Sequence, residues 1–178
     1  LIYREVVAAG LEVVEYAPHR APFGRWDVVH VHWPESVFDH TLIEALPTTE
    51  SLLWGARRAK SKGAKLLWTI HNLRAHEYKH TYFEERFWSR FIPELDGVVA
   101  LTPTGLEAAK QRFPGLVGKR SWIVPHPHYR GQYPDDLDRL AARKRLAIAA
   151  HQKVLLVFGR MYAYKNLPAL LQAVRQAP

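Results

Sequence analysis

The chain has 178 residues, and its 25 Lys and Arg against 17 Asp and Glu give a formal charge of +8. A hydrophobic share of 48% and a charged share of 24% are ordinary for a globular protein and exclude general disorder. No apolar run reaches the roughly 20 residues that a membrane-spanning helix needs, and the absence of Cys excludes disulfides, thiolate nucleophiles and cysteine metal sites. Because the chain begins with Leu1 inside an apparent helix, we expect it to be a piece of a longer protein.

Short runs rich in β-branched residues alternate with helical periods along the whole chain. This alternation predicts an α/β fold with a Rossmann-like parallel sheet flanked by helices. The first predicted elements are a helix over 1–9 that stops at Gly10, strands over 11–16 and 26–33, and a helix over 41–62 that Pro47 breaks or kinks and Gly63 ends. They are followed by a strand over 65–71, a helix over 82–93, a strand over 97–101, a helix over 104–113 capped by Thr102 or Thr104, and a strand over 121–124. The remaining elements are a turn-rich linker over 129–135, a basic helix over 136–149, a strand over 154–158 and a helix over 167–176.

Four of the predicted strands carry polar residues at or just beyond their carboxyl ends. Ligands of parallel α/β sheets bind beyond the carboxyl ends of the strands, so we expect these residues to gather at one edge of the sheet. They are His30, His32 and Glu35 at the second strand, His71, Asn72 and Arg74 at the third, His126 and His128 at the fifth, and Gly159, Arg160 and Lys165 at the sixth.

Histidine is frequent in this chain, with ten residues, and several uses are open for it. His30 and His32 lie two apart on a strand and therefore project to the same face. Paired imidazoles bind zinc if a third ligand such as Glu35 or Asp39 turns back toward them. The alternatives for the pair are hydrogen bonds to neighbouring backbone and direct contact with a substrate. His71 ends an apolar strand, where a neutral ring either exchanges hydrogen bonds with a sugar hydroxyl or is satisfied by backbone.

The segment GRMYAYKN (159–166) lies between a predicted strand and a predicted helix. Gly159 allows a ligand to approach the backbone closely, while Arg160 and Lys165 bring two positive charges toward one phosphate group. Free backbone N–H groups at the start of the next helix favour the same ligand. We interpret the segment as a phosphate-binding turn.

The basic residues are concentrated in two stretches, 57–65 and 139–145. A solvated helix face accounts for both, and a surface that docks on an anionic membrane is the second interpretation. We expect no nucleic-acid partner, because the chain has no base-reading motif and its aromatic residues are not interleaved with the basic runs.

Three segments together resemble GT-B-fold glycosyltransferases of the retaining family-four type, in particular bacterial exopolysaccharide enzymes. They are DVVHVHWPE (27–35), LLWTIHNLRAHE (66–77), and IVPHPHYRGQYP (123–134) leading on to KVLLVFGRMYAYKN (153–166). They cover nearly the whole chain in matching order. In that family the second domain opens with a strand, which is followed by Gly-Arg and by a Lys five residues after the Arg. The same spacing is found in this chain.

The resemblance implies roles for individual residues. Gly159, Arg160 and Lys165 would hold the diphosphate of a sugar nucleotide. His71, in the sequence Thr69-Ile70-His71, would lie beside the transferred sugar and the attacking hydroxyl. Many relatives have Pro-Asn-Gly where this chain has Pro125-His126-Pro127, which is a departure from the pattern. The residues expected to line the acceptor side or the cleft are His32, Glu35, Arg74 and His126.

The resemblance also implies a domain organisation and a reaction. Residues 1–135 would be an acceptor-side domain that lacks its first strand, 136–150 a linker helix and 151–178 the start of a donor-binding domain. The enzyme would transfer a hexosyl group from a nucleotide-sugar donor to a saccharide or lipid-linked acceptor in polysaccharide biosynthesis, with no resident cofactor or metal. We expect a cytoplasmic protein that is peripheral at the inner face of the cell membrane, and an isolated piece without turnover.

Two other classes of function stay open at the level of sequence. One is a metal-dependent hydrolase that uses His30 and His32 as ligands. The other is a non-catalytic module that binds carbohydrate or an anionic membrane surface.

Overall fold

The computed structural model describes residues 2–17, 23–77, 79–129, 131–134 and 136–176. The chain forms two compact units, the first over 1–127 and the second over 128–178. The functional domains expected over 1–135, 136–150 and 151–178 stay a prediction.

The first unit is built on a parallel sheet of four strands in the order β1-β2-β3-β4. The bounds are Val28–His32 for β1, Lys65–Ile70 for β2, Gly97–Ala100 for β3 and Arg120–Ile123 for β4. All three neighbouring pairs are parallel, and His32 lies opposite Thr69 in the pairing of β1 with β2. The predicted α/β class and the Rossmann-like parallel sheet flanked by helices are therefore confirmed.

Four α-helices accompany the sheet in the described part of the first unit: α1 (Ile2–Ala8), α2 (Leu42–Lys60), α3 (Thr81–Glu94) and α4 (Pro103–Arg112). Their ends follow local chemistry. The Glu44 carboxylate accepts hydrogen bonds from the backbone N–H and the hydroxyl of Thr41, which caps the start of α2. The Thr102 hydroxyl accepts from the Gly105 N–H at the start of α4, so Thr102 is the cap of the two predicted candidates, Thr102 and Thr104. Pro47 lies inside α2 without ending it.

Glycines follow α1 and α2 in the left-handed backbone region that other residues avoid. Gly10 has φ 83° and Gly63 has φ 102°. Both helices therefore stop where the sequence predicts.

An aromatic cluster forms the centre of the core of the first unit. The side chain of Trp68 on β2 is fully buried, and its ring centroid lies 4.9 Å from that of Trp88 on α3. Phe91 and Phe113 pack against the same two indoles. Large rings of this kind bury much apolar area each, so they hold the helices on the sheet.

Two predicted strands are absent from the described residues. The segments 11–16 and 154–158 pair with no strand, and most of their apolar side chains are exposed, up to 90% for Phe158. A β-branched run becomes a strand only when another backbone supplies its hydrogen bonds. The described part of the second unit contains no strand that could do so for 154–158.

The second unit consists of two α-helices and their connections in the described residues: α5 (Arg139–Arg145) and α6 (Leu167–Gln176). The predicted helix over 136–149 is shorter in the structure. It begins at the cap formed by Asp138, whose carboxylate accepts from the Ala141 N–H, and it ends before Ala147, where φ is 53°. The predicted helix over 167–176 is confirmed.

Within the described ranges, no helix has the length and apolar character that crossing a bilayer requires.

We predict that replacing Phe91 by Ala lowers the free energy of unfolding by about 3–5 kcal/mol, because the ring is fully buried and leaves a cavity. Phe158→Ala is the matched control, since that ring is 90% exposed and its loss is expected to change stability by less than about 0.5 kcal/mol. Denaturant unfolding of both variants measures the difference. Equal effects of the two substitutions would contradict the described core.

Candidate functional site

The carboxyl ends of β1 and β2 bring three predicted histidines together. His30 Nε2 is hydrogen-bonded to the Thr69 hydroxyl at 2.7 Å, and His32 Nδ1 is hydrogen-bonded to His71 Nε2 at 2.9 Å. The rings of His30 and His32 are 4.4 Å apart, as expected for two residues on the same face of a strand. We call His30, His32, Thr69 and His71 the imidazole cluster.

The register of the sheet explains these contacts. His30 pairs with Leu67 and His32 with Thr69 in the ladder. Each histidine is therefore hydrogen-bonded to the residue two positions after the one it pairs with. Residues two apart lie on the same face of a strand, so the bonded residue is on the same face of β2 or of its continuation as the paired one. The sequence prediction did not include Thr69 among the site residues, although its spacing from His71 is the signal that identifies it.

The imidazoles of this cluster are held in their uncharged form. Burial, together with the smaller effect of the neighbouring His32 and His71 rings, lowers the pKa of His30 to about 4. Burial also lowers the pKa of His32 and of His71. The His32–His71 hydrogen bond agrees with this state, because one of its two nitrogens has to supply a lone pair.

Trp33 directly follows β1 and stacks on the site. Its indole lies 4.0 Å from the His71 ring, centroid to centroid, with an angle of 20° between the planes. Its backbone has φ 47° and ψ 46°, in the left-handed region that a bulky residue rarely adopts. Sequence reasoning did not select Trp33 as a site residue, since nothing in a Trp-Pro pair predicts this backbone conformation or the contact with His71.

Glu35 supports the site from within the protein. It is 1% exposed, and its Oε1 accepts a hydrogen bond from the Asn72 side chain at 2.9 Å. This bond ties the 3₁₀ turn Pro34–Asp39 to the segment that follows β2. Burial raises the pKa of Glu35, while the Asn72 bond acts in the opposite direction. Its predicted role toward an acceptor stays a prediction.

The other two residues predicted for the acceptor side differ in their relation to the cluster. His126 follows β4 and is close enough to lower the pKa of His71 electrostatically, after burial and His32. Its Nδ1 donates to the carbonyl of Pro127. Arg74 is exposed, three residues after His71.

Among the residues that the structure describes, no group of three or more His, Asp or Glu side chains is arranged to hold a metal ion. The nitrogens of His30 and His32 that make contacts face Thr69 and His71. Asp39, the alternative third ligand, accepts from the Glu77 backbone N–H instead.

The basic stretch over 57–65 faces acidic residues of its own unit. Arg57 Nε lies 2.7 Å from a Glu94 carboxylate oxygen. Lys60 and Lys65 lie 3.3 Å and 3.6 Å from Asp96. Part of the charge on which membrane docking would depend is therefore offset within the fold.

The second unit carries the predicted phosphate-binding turn. Gly159 has φ 101°, and a Cβ at this position would lie 3.3 Å from Lys165 Nζ, so the ammonium group folds back over the glycine. Arg160 Nη1 donates to the Tyr162 hydroxyl at 3.1 Å. The 3₁₀ turn Ala163–Lys165 is followed by Asn166, whose φ is 50°, and the chain then enters α6. The turn and helix are thus present without the preceding strand.

Comparison of this chain with protein-family models, with curated proteins and with solved structures finds no match.

We predict that acidification destabilises the first unit through His30. The unfolded chain binds a proton near the ordinary pKa of 6.5, whereas folded His30 does so only at about 4. Between these pH values the unfolded state therefore binds more protons than the folded state. The contribution of His30 to the free energy of unfolding is fully present above about pH 6.5, decreases as the pH is lowered, and levels off below about pH 4.

The comparison of the wild type with His30→Gln tests this contribution, because the other groups with shifted pKa values in and beside the cluster, His32, Glu35 and His71, are present in both proteins. Unfolding free energies measured across that pH range should fall less steeply in the variant. Identical slopes would contradict the buried, uncharged state of His30.

Proposed function

We propose that this chain is part of a glycosyltransferase of the GT-B class that transfers a sugar from a nucleotide-sugar donor to a saccharide or lipid-linked acceptor. The observation that carries the proposal is the uncharged His71, hydrogen-bonded to His32 and stacked on Trp33 at the carboxyl edge of a parallel sheet. This is the edge at which such folds bind their ligands. The resemblance of the three sequence segments to this class supports the same conclusion.

An uncharged imidazole suits the acceptor half of the reaction. Nε2 of His71 is hydrogen-bonded to His32 Nδ1, which leaves Nδ1 for a sugar hydroxyl. When Nε2 donates its proton to His32, Nδ1 carries the lone pair that accepts from the hydroxyl. With its pKa lowered by burial, His71 is mostly unprotonated near neutral pH and is able to receive a hydroxyl proton. Its neighbours hold the ring in place from two sides.

The turn over 159–166 suits the donor half. Arg160 and Lys165 are both exposed beside a glycine with no side chain, so that a diphosphate can approach backbone and cations together. The start of α6 adds the free N–H groups of a helix terminus. Positive charge at this position would stabilise the negative charge that develops on the leaving diphosphate.

In the proposed reaction the bond between the anomeric carbon and the diphosphate oxygen breaks, and its electron pair stays on the diphosphate. The acceptor hydroxyl oxygen forms the new bond to the anomeric carbon. The proton that this hydroxyl loses is taken up by His71. The nucleotide-sugar is consumed as a substrate, so the step needs no further reactant.

We predict that Arg160→Ala and Lys165→Ala each weaken the binding of inorganic pyrophosphate and of the nucleoside diphosphates UDP, GDP, ADP and CDP by about tenfold or more, because each removes a charged partner. Isothermal titration of the chain measures these affinities. Arg175→Ala, in the last turn of α6, is the matched control and should leave them unchanged. Wild-type affinity in both test variants, or no binding by the wild type, would overturn the diphosphate role.

In the longer protein of which we expect this chain to be a piece, we predict that His71→Ala lowers nucleotide release by about a hundredfold or more, while the donor affinity is unchanged. The donor is a sugar nucleotide of the nucleoside diphosphate that binds most tightly in that titration. The rate is expected to fall because the base is removed. The donor affinity is expected to stay the same because the turn over 159–166 is not altered. Release is followed with water and with mixed saccharides as acceptors, and His151→Ala is the control. An unaltered rate in His71→Ala would remove this residue from the mechanism.

A further inference from the structure

We propose that the indole of Trp33 is the platform on which a pyranose ring of the acceptor saccharide stacks. The inference rests on the proposed function and specifies its acceptor site. It makes Trp33 a binding residue next to the imidazole cluster, rather than a residue that fills the core.

The position of the indole is the first argument. Trp33 is 49% exposed, whereas Trp68 and Trp88 of the same unit are 0% and 2% exposed. It nevertheless has a fixed orientation, because its ring stacks on His71 and lies 5.6 Å from the His32 ring. An aromatic surface that is both open to a ligand and held in place loses little side-chain entropy when it binds.

The backbone of Trp33 is the second argument. Trp33 has a φ of 47°, a backbone conformation that is unfavourable for a non-glycine residue, and such conformations are concentrated at functional sites. Here the turn is retained by Ser36, whose backbone N–H and hydroxyl both donate to the Trp33 carbonyl, at 3.1 Å and 2.8 Å. A residue with no function in its side chain would be expected to be Gly or Asn at this position.

The groups that border the indole indicate the class of ligand. They are the imidazoles of His32 and His71, which are held uncharged and which exchange hydrogen bonds. An apolar ring face beside neutral donors and acceptors fits a neutral molecule with C–H groups on one face and hydroxyls at its rim. A pyranose has this form. Because His71 covers one face of the indole, the sugar would stack on the opposite face.

The test compares Trp33→Ala with Trp54→Ala. Trp54 on α2 is a matched control, because it is 51% exposed and belongs to the same unit. The probes are methyl glucopyranosides, methyl galactopyranosides and their disaccharides, and binding is measured by saturation-transfer NMR and titration. We expect Trp33→Ala to weaken saccharide binding by about fivefold or more, equivalent to roughly 1 kcal/mol, and Trp54→Ala to leave it unchanged.

Two further measurements separate binding from a loss of structure. Trp33→Phe keeps an aromatic face and should retain most of the affinity, while the thermal unfolding of each variant shows whether it is folded. In the wild type, the indole N–H resonance that disappears in Trp33→Phe should shift when saccharide is added. Equal affinity in the wild type and a folded Trp33→Ala, or an indole resonance that does not shift, overturns the platform.

The outcomes also distinguish this inference from the proposed function. Saccharide binding that depends on Trp33 in a chain that binds no nucleotide supports the platform and contradicts the transferase. Nucleotide binding without saccharide binding supports the donor half of the transferase and contradicts the platform. The absence of both kinds of binding contradicts both.

Discussion

The parallel pairing of β1 with β2, in one register, is the constraint on which the imidazole cluster depends. Because His32 lies opposite Thr69, His30 is bonded to Thr69 and His32 to His71. A shift of one residue would turn every side chain of β1 to the other face. The register is maintained by the buried residues of β2, above all Trp68, which pack against α3 and α4.

Burial then determines the chemistry of the cluster. A charged imidazole is costly where water is partly excluded, so the surroundings of these rings favour the neutral form. His30 bonds to the Thr69 hydroxyl, and His32 and His71 bond to each other. Glu35 accepts a hydrogen bond from Asn72 and links the segments that follow β1 and β2. The result is a sheet edge with fixed neutral donors and acceptors and one half-exposed indole, which is the basis of both proposals.

The turn over 159–166 of the second unit, for which we propose phosphate binding, has a different origin, because it is formed by contacts within a few residues. Gly159 takes a backbone conformation suited to glycine, Lys165 folds back over it, and the chain enters α6 at once. Such a turn needs no sheet, and it is present although the segment 154–158 pairs with no strand. Two positive charges beside an exposed glycine are therefore available to an anion from local structure alone.

Features that depend on neighbouring residues were predictable from the sequence: the four strands of the first unit, the ends of α1 and α2 at Gly10 and Gly63, the Thr102 cap, and the common face of His30 and His32. The tertiary structure alone decided that the runs 11–16 and 154–158 stay unpaired. It also decided the left-handed backbone of Trp33, the burial of Glu35 and the His32–His71 bond. The physical reason is that helix ends and side-chain alternation are set by backbone geometry within a turn or two, whereas strand pairing, burial and imidazole charge are set by residues that are distant in the chain.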